Sequence, residues 1–299
     1  MFGIKRQSWY FHKNRQEKTA FQHELLIKLV SEKRKIMPRI GVKKLLFLLE
    51  KDIKLHGIKI GRDKFFSFMR KNNLLISKKR KYTKTTNSFH RFYKYSNLIK
   101  DFTPKASNQL YVSDITYIRL EGSFAYLSII TDAYSRKIVG HKLHKNLSRD
   151  GCIYALQKVL VGLPENVNNI IHHSDRGVQY CSDEYVKILE GNHLNISMTE
   201  NGDPRENAIA ERVNGILKDE FNLDKTFSNF REAELHVNLS IETYNNERPH
   251  LSLNNLTPVQ VHDVQKGELK KLWKNSYKYA NDQHQVSTCN CLTKAMTKK

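Results

Sequence analysis

The stretch from His172 to Lys218, HHSDRGVQYCSDEYVKILEGNHLNISMTENGDPRENAIAERVNGILK, decides how this chain folds. Ahead of it, Asn169-Ile170-Ile171 reads as a short strand that delivers Asp175 into a glycine-containing turn. At its far end Ile209, Val213, Ile216, Leu217 and Phe221 recur at helical spacing and predict one buried stripe. At about 100° per residue, Glu211 stands roughly 200° around that helix from Val213, so it points away from the stripe. Upstream, Asp114 lies inside the alternating run Leu110-Tyr-Val-Ser-Asp-Ile-Thr-Tyr-Ile118. A core strand spends an interior position on Asp only where something pairs with it. Three carboxylates, from a strand interior, a strand end and a helix, imply a divalent metal ion if the fold brings them together.

Four blocks of text carry more information than their composition. They are YVSDITYI around Asp114, HSDRGVQY around Asp175, NGDPRENAIAERVNGILKDEF around Glu211, and YNNERPHLSLNNLTP from Tyr244 to Pro258. In these the chain resembles the transposases of the two-reading-frame bacterial insertion sequences, within the retroviral-integrase superfamily. Thirty-five residues separate Asp175 from Glu211, the spacing that family shows between its second Asp and its Glu. The resemblance runs from about Asn108 to Pro258. It departs at Tyr111, where the family usually has Trp, and at Glu206, where it often has Asp.

The resemblance implies an α/β fold, a ribonuclease-H-like integrase catalytic core. It implies a DDE transposase that cuts DNA ends and transfers strands, with Asp114, Asp175 and Glu211 as catalytic metal ligands. In-line phosphodiester displacement is served by two divalent ions, and hard Mg²⁺, or Mn²⁺ in its place, prefers oxygen ligands. Asp114 is expected to bridge the two ions, with Asp175 and Glu211 each completing one. The implied partners are insertion-sequence ends and target DNA, further copies of the chain on that DNA, and an upstream-frame protein. The rival reading is an inactive relic or repressor that keeps the α/β part as scaffold; all three acids are present, which argues for the enzyme. A simple ribonuclease H does not need so large a basic front.

The net charge is +21 and the isoelectric point about 9.7. Residues 1–105 hold 28 Lys and Arg against 7 Asp and Glu, whereas residues 106–299 hold 23 of each. A basic front attached to a neutral remainder points to a polyanionic partner held by the front. No apolar run suits a membrane span or a signal peptide. The four cysteines (Cys152, Cys181, Cys289 and Cys291) form no C-x-x-C pair, so they read as reduced thiols of a cytoplasmic, nucleoid-associated protein. Cys289 and Cys291 with His284 offer a remote zinc option in a polar tail.

Residues 1–76 read as a basic helical region. Phe21, Leu25, Leu26, Leu29 and Val30 keep helical spacing up to Pro38, and a second helix fits Val42 to Ile53. A break at His56-Gly57 then leads to Phe65, Phe66, Phe68 and Met69, the order of a helix-turn-helix. The alternative is a plain bundle with a solvated basic face. The candidate DNA contacts here are Lys43, Lys44, Arg62, Lys64, Arg70 and Lys71. Residues 77–106 form a basic linker with Lys78, Lys79 and Arg80, whose Tyr82, Phe89, Phe92, Tyr93 and Tyr95 either stack on bases or dock on the core.

Residues 107–262 alternate strands and helices. The expected strands are Leu110–Ile118, Phe124–Thr131 after a Glu121-Gly122 hairpin, Lys137–Leu143, Asn169–Ser174 and Asn195–Met198. The expected helices are Asp150–Leu160, one around Tyr185–Leu189, the Glu211 helix, and Asn229–Asn246 packing Leu235, Leu239, Ile241 and Tyr244. Residues 263–299 read as a polar tail. Beside the acids, Lys218 lies two turns along the helix from Glu211 and reads as a phosphate contact or a surface lysine. Arg212 and Asn207 are further DNA candidates, and Asn207 has the alternative of capping the preceding loop. His173 reads as a site residue or a hydrogen-bonded core histidine. Arg248 and His250 receive no role.

Overall fold

The computed structural model describes residues 6–77, 91–164, 167, 169–200 and 204–263. Its front folds into α1 (Arg6–Ile36), α2 (Val42–Leu48), α3 (Glu50–Leu55) and α4 (Arg62–Lys71). Only the C-terminal part of α1 is held: Leu26 and Val30 are buried, while Phe21, which the periodicity assigns to the same face, is 67% exposed because the helix has by then left the body. The expected Val42–Ile53 helix is two pieces meeting at Leu49. The amides of Leu49 and Ile53 still donate to the carbonyls of Leu45 and Leu49, which keeps the two pieces in register across the joint. After the turn at His56-Gly57, α4 packs Phe65, Phe68 and Met69 inward and leaves Arg62, Lys64, Arg70 and Lys71 exposed.

The second half is built around β1 (Leu110–Leu120), whose alternation the sequence shows. It pairs antiparallel with β2 (Ser123–Asp132) through a hairpin in which Gly122 takes φ 74°, the left-handed region that glycine enters without strain. Next comes β3 (Ile138–His144), antiparallel to β2, then α5 (Arg149–Val161). The chain crosses to β4 (Ile171–Ser174), parallel to β1. This strand starts two residues later than expected because Asn169 turns at φ 60°. Then follow α6 (Asp183–Gly191), β5 (Asn195–Met198), α7 (Ala208–Glu220), β6 (Thr226–Phe227), α8 (Phe230–Asn246) and α9 (Pro258–Asp263). The strand order is β3-β2-β1-β4-β5, with β6 joined to the far end of β1. Three antiparallel strands followed by parallel ones with helices on both faces is the ribonuclease-H-like arrangement.

Helices cover both faces. On one side Ile118, Leu127, Ile129 and Leu143 meet Val213, Leu217, Ile241 and Tyr244, and this cluster runs without a break into Met37, Leu45 and Phe65 of the front. On the other, Tyr111 and Ile130 pack against Ala155, Leu156 and Leu189. There α5 crosses β3 so closely that a Cβ on Gly140 would lie 2.3 Å from the Ala155 carbonyl oxygen, so only glycine fits.

Side chains and linker cover the two outer strands. Along β3, Asn245 accepts from the Ile138 amide at 2.9 Å and donates to the Ile138 carbonyl at 3.0 Å. Asn238 meets His141 and Glu234 meets Lys142 on the same stripe of α8. That polar match turns α8 so that Leu235 and Leu239, expected to be packed, are 58% and 61% exposed. Along β5, Ser96 accepts from the Met198 amide and the Leu98 amide donates to Ser197 Oγ. Tyr95 donates to Glu190, so this aromatic of the linker docks on the core, whereas Tyr93 is exposed. Lys78, Lys79, Arg80, Tyr82, Phe89 and the tail with His284, Cys289 and Cys291 lie outside the described residues. Among the described residues no helix is long and apolar enough to cross a membrane.

Candidate active site

The parallel pairing of β1 with β4 sets Val112 against His173. Two residues further along that register, Asp114 comes beside Asp175. Asp114 is half-buried, and each of its oxygens accepts one bond: Oδ1 from the Ile115 amide at 2.9 Å, Oδ2 from Asn214 Nδ2 at 2.7 Å. Burial first, then the charge of Asp175, pushes the Asp114 carboxyl up to about 7, against the pull of those two bonds. Asp175 Oδ1 accepts from the Gly177 amide at 3.0 Å, which fixes the turn after β4. Glu211 is exposed on the first turn of α7, and partial desolvation raises its carboxyl. It also raises Asp114, by less than Asp175 does. Among the described residues, no three acid, imidazole or thiol groups stand ready to close on a metal ion. Asp114 and Asp175 are together; Glu211 stands further off.

The helix α7 organises the rest. Asn207, at its start, is buried and donates from Nδ2 to the Ser113 carbonyl at 3.0 Å, which ties the first turn to β1 beside Asp114. Asn207 makes no side-chain cap bond, so the capping expectation does not describe its place; its side chain reaches β1 instead. Asn214 lies one turn beyond Glu211 and was missed in the sequence. Its polarity inside the stripe Val213–Leu217, at a position three after Glu211, is the signal that marks it. Lys218 is half-buried; burial lowers its pKa and the Asp114 charge opposes this, so its ammonium works in the field of the acids. Arg212 is exposed, as is Lys43.

Models of the integrase core domain match residues 104–204 and 192–258. A 31 kDa protein of insertion element IS600 from Shigella sonnei is 33% identical over 86% of this chain and 94% of its own length. The transposase InsF of insertion sequence IS3A from Escherichia coli K12 is 30% identical over 64% of this chain and 67% of its own. The chain belongs to the insertion-sequence transposases of the integrase superfamily. Among solved structures, the HTLV-2 integrase catalytic core in complex with magnesium superimposes with a TM-score of 0.43 at 21% identity, over 52% of this chain and 97% of that one.

Behind the acids, the transposase holds His172 and His173 as core residues. His172 Nε2 lies 2.8 Å from Ser113 Oγ and 2.9 Å from the Tyr185 hydroxyl, and burial pushes its pKa down to about 3. His173 Nδ1 meets Ser197 Oγ at 2.8 Å, and burial pushes it down to about 4. Both are therefore neutral, and His173 has the hydrogen-bonded core position. Cys152 and Cys181 are free and buried. Burial pushes the Cys152 thiol, near Ser128 Oγ, up to about 12.

The YNNERPH block also acquires a place. Arg248 is 2% exposed and donates from Nε and Nη2 to the two oxygens of Glu220, each at 2.8 Å. His250 packs edge-on against Tyr244 at 5.0 Å, and burial, then the charge of Arg248, pushes its pKa down to about 2. Lys44 departs from its expected role as an outward DNA contact. Its ammonium turns in to Glu220 at 2.5 Å.

Proposed function

We propose that the transposase is an active, divalent-metal-dependent polynucleotidyl transferase that cuts insertion-sequence ends and joins their 3′-hydroxyls to target DNA. Asp114, Asp175 and Glu211 would hold Mg²⁺, or Mn²⁺ in its place, with Asp114 shared between two ions. The observation that carries this is the parallel pairing of β1 with β4, which sets the half-buried Asp114 carboxyl beside that of Asp175. Such a pair is relieved by a cation, and three carboxylates are the donor set that suits a hard ion. When bound, the metal supplies the positive charge that activates the attacking hydroxyl and stabilises the leaving oxygen.

The chain's own residues do the rest. Asn214 orients Asp114 by donating to Oδ2, and Asn207 fixes the start of α7 against β1. Lys218 offers positive charge for a phosphate beside the acids, and the exposed Arg212 offers a further one elsewhere on α7. The exposed Lys43, Arg62, Lys64, Arg70 and Lys71 of the front, with Lys78, Lys79 and Arg80 in the linker, would neutralise further phosphates. Several copies on paired DNA ends, aided by an upstream-frame partner, complete the reading.

The test is Asp114→Asn, Asp175→Asn and Glu211→Gln, made one at a time. Each removes a charge at almost constant volume, so each is expected to abolish Mg²⁺-dependent nicking of DNA that carries the element's ends, with DNA affinity kept. Near-normal nicking by any one of them removes that acid from the ligand set.

A further inference from the structure

Resting on that reading, we infer that Glu220, gripped by Arg248 and Lys44, is a positioning clamp that sets where the DNA is cut. Glu220 is the last residue of α7, the helix that begins at Ala208 and carries Glu211. Four donors converge on it from separate parts of the chain. Arg248 supplies two at 2.8 Å, Lys44 of α2 supplies one at 2.5 Å, and the Arg39 amide donates to its backbone carbonyl at 2.9 Å. Lys44 and Arg39 belong to the basic front, Arg248 to the segment after α8. The side chains of Arg248, Glu220 and Lys44 are 2%, 14% and 21% exposed, so the group is shielded from water.

Holding the two halves together is not enough to explain this group. The apolar cluster that runs from Met37 and Leu45 to Leu217 and Phe221 already joins them. Buried ion pairs pay desolvation and rarely add net stability over apolar residues of the same size. What charge-assisted bonds add is direction: a bidentate arginine and a single lysine admit one relative placement. Glu220 lies nine residues along a rigid helix from Glu211, about 14 Å at 1.5 Å per residue. Any play at Glu220 is therefore carried to the acids. With the clamp closed, a duplex bound by α4 meets Asp114 and Glu211 at one fixed phosphate. With it loosened, neighbouring phosphates become equivalent targets.

The variants are Lys44→Met, which keeps the stem and leaves Arg248 on Glu220, and the conservative Lys44→Arg, both in the full chain. The first readout is cut position on a labelled duplex of the DNA flanking the gene, against Mn²⁺-dependent nicking of a plasmid that lacks those ends. For Lys44→Met the ratio of cuts at the principal phosphate to cuts at its neighbours should fall about tenfold, the scale of one lost charge-assisted hydrogen bond. Plasmid nicking should stay at the wild-type rate, and Lys44→Arg should restore the ratio. An unchanged ratio, or equal losses on both substrates, overturns the clamp. The second readout needs no activity. Spin labels at Ser67→Cys on α4 and Tyr154→Cys on α5, with Cys289 and Cys291 replaced by Ser, report the spread of distances between front and core. That spread should widen in Lys44→Met and return in Lys44→Arg; a spread as narrow as the parent's overturns the proposal. A parent that cuts neither DNA, with a Lys44→Met variant that still widens in this way, refutes the enzymatic reading and leaves the clamp standing.

Discussion

Replacing Asn214 with Leu removes a single bond from Asp114 at nearly constant volume. Asn214 Nδ2 donates to Asp114 Oδ2 at 2.7 Å, while its own Oδ1 is buried without a partner among the described residues. The variant therefore gives up one charge-assisted hydrogen bond, about 1.5–3 kcal/mol, and sheds an unpaired acceptor. At 1.36 kcal/mol per pH unit, the loss lifts Asp114 by about one to two units from its present value. That value is already raised, to about 7, by burial and by Asp175. Raising an acid favours its protonated form, so at neutral pH less of the carboxylate that a metal needs is present. Because the group starts half ionised at pH 7, nicking there should fall roughly fivefold to fiftyfold, and the acid limb of the rate profile should move up by about one to two units. The assay is Mg²⁺-dependent nicking across pH, with thermal unfolding as the control. Because the lost acceptor was unpaired, the melting temperature should hardly change. A loss of the same size at every pH, or an unmoved limb, would show that Asn214 does not act through Asp114.

Two further predictions concern Glu220. Arg248→Met leaves a shielded carboxylate with one partner in place of two, so it should cost about 3–5 kcal/mol. At about 2–4 °C per kcal/mol this is a fall of roughly 6–20 °C in thermal denaturation. Adding Glu220→Leu should recover most of it, and a double variant no better than the single would refute the assignment of the cost to an unpaired charge. The second concerns acid. Burial raises the Glu220 carboxyl, but the bonds and charge of Arg248 and then of Lys44 outweigh it and hold the group below its usual 4.5. Its stabilisation is therefore fully present above about 4.5 and lost as pH falls through the folded value. In urea unfolding, Glu220→Gln should be less stable than the parent at neutral pH and should show a flatter decline into acid. Parallel curves for the two proteins would contradict this.

What the sequence made legible follows from what periodicity encodes. The alternation of Leu110–Ile118 and the stripe of α7 each depend on one neighbouring surface, and both elements are where their patterns place them. The spacing of the acids and the four blocks disclosed the family. Periodicity is silent where two faces compete. In α8, Leu235 and Leu239 make as good a stripe as Val237 and Ile241, and only the Asn245, Asn238 and Glu234 contacts to β3 decide between them. It is also silent on partners remote in sequence. Lys43 and Lys44 are indistinguishable until Glu220, 176 positions on from Lys44, takes one and leaves the other in water. Arg248 was opaque for the same reason. Phe21 shows a third limit, because a helix keeps its pattern after it has outrun the surface it packs on.

The coverings along β3 and β5 have a consequence for assembly. An open strand edge is a template on which any other strand can be laid, and cells pay for such edges in tangled aggregates. Here Asn245 takes up the Ile138 amide and carbonyl, and residues 96–98 lie against β5. At these points the two margins offer no free backbone group to a further strand. Any contact with another copy would therefore run through helices and loops and leave the strand order that carries Asp114 and Asp175 unaltered.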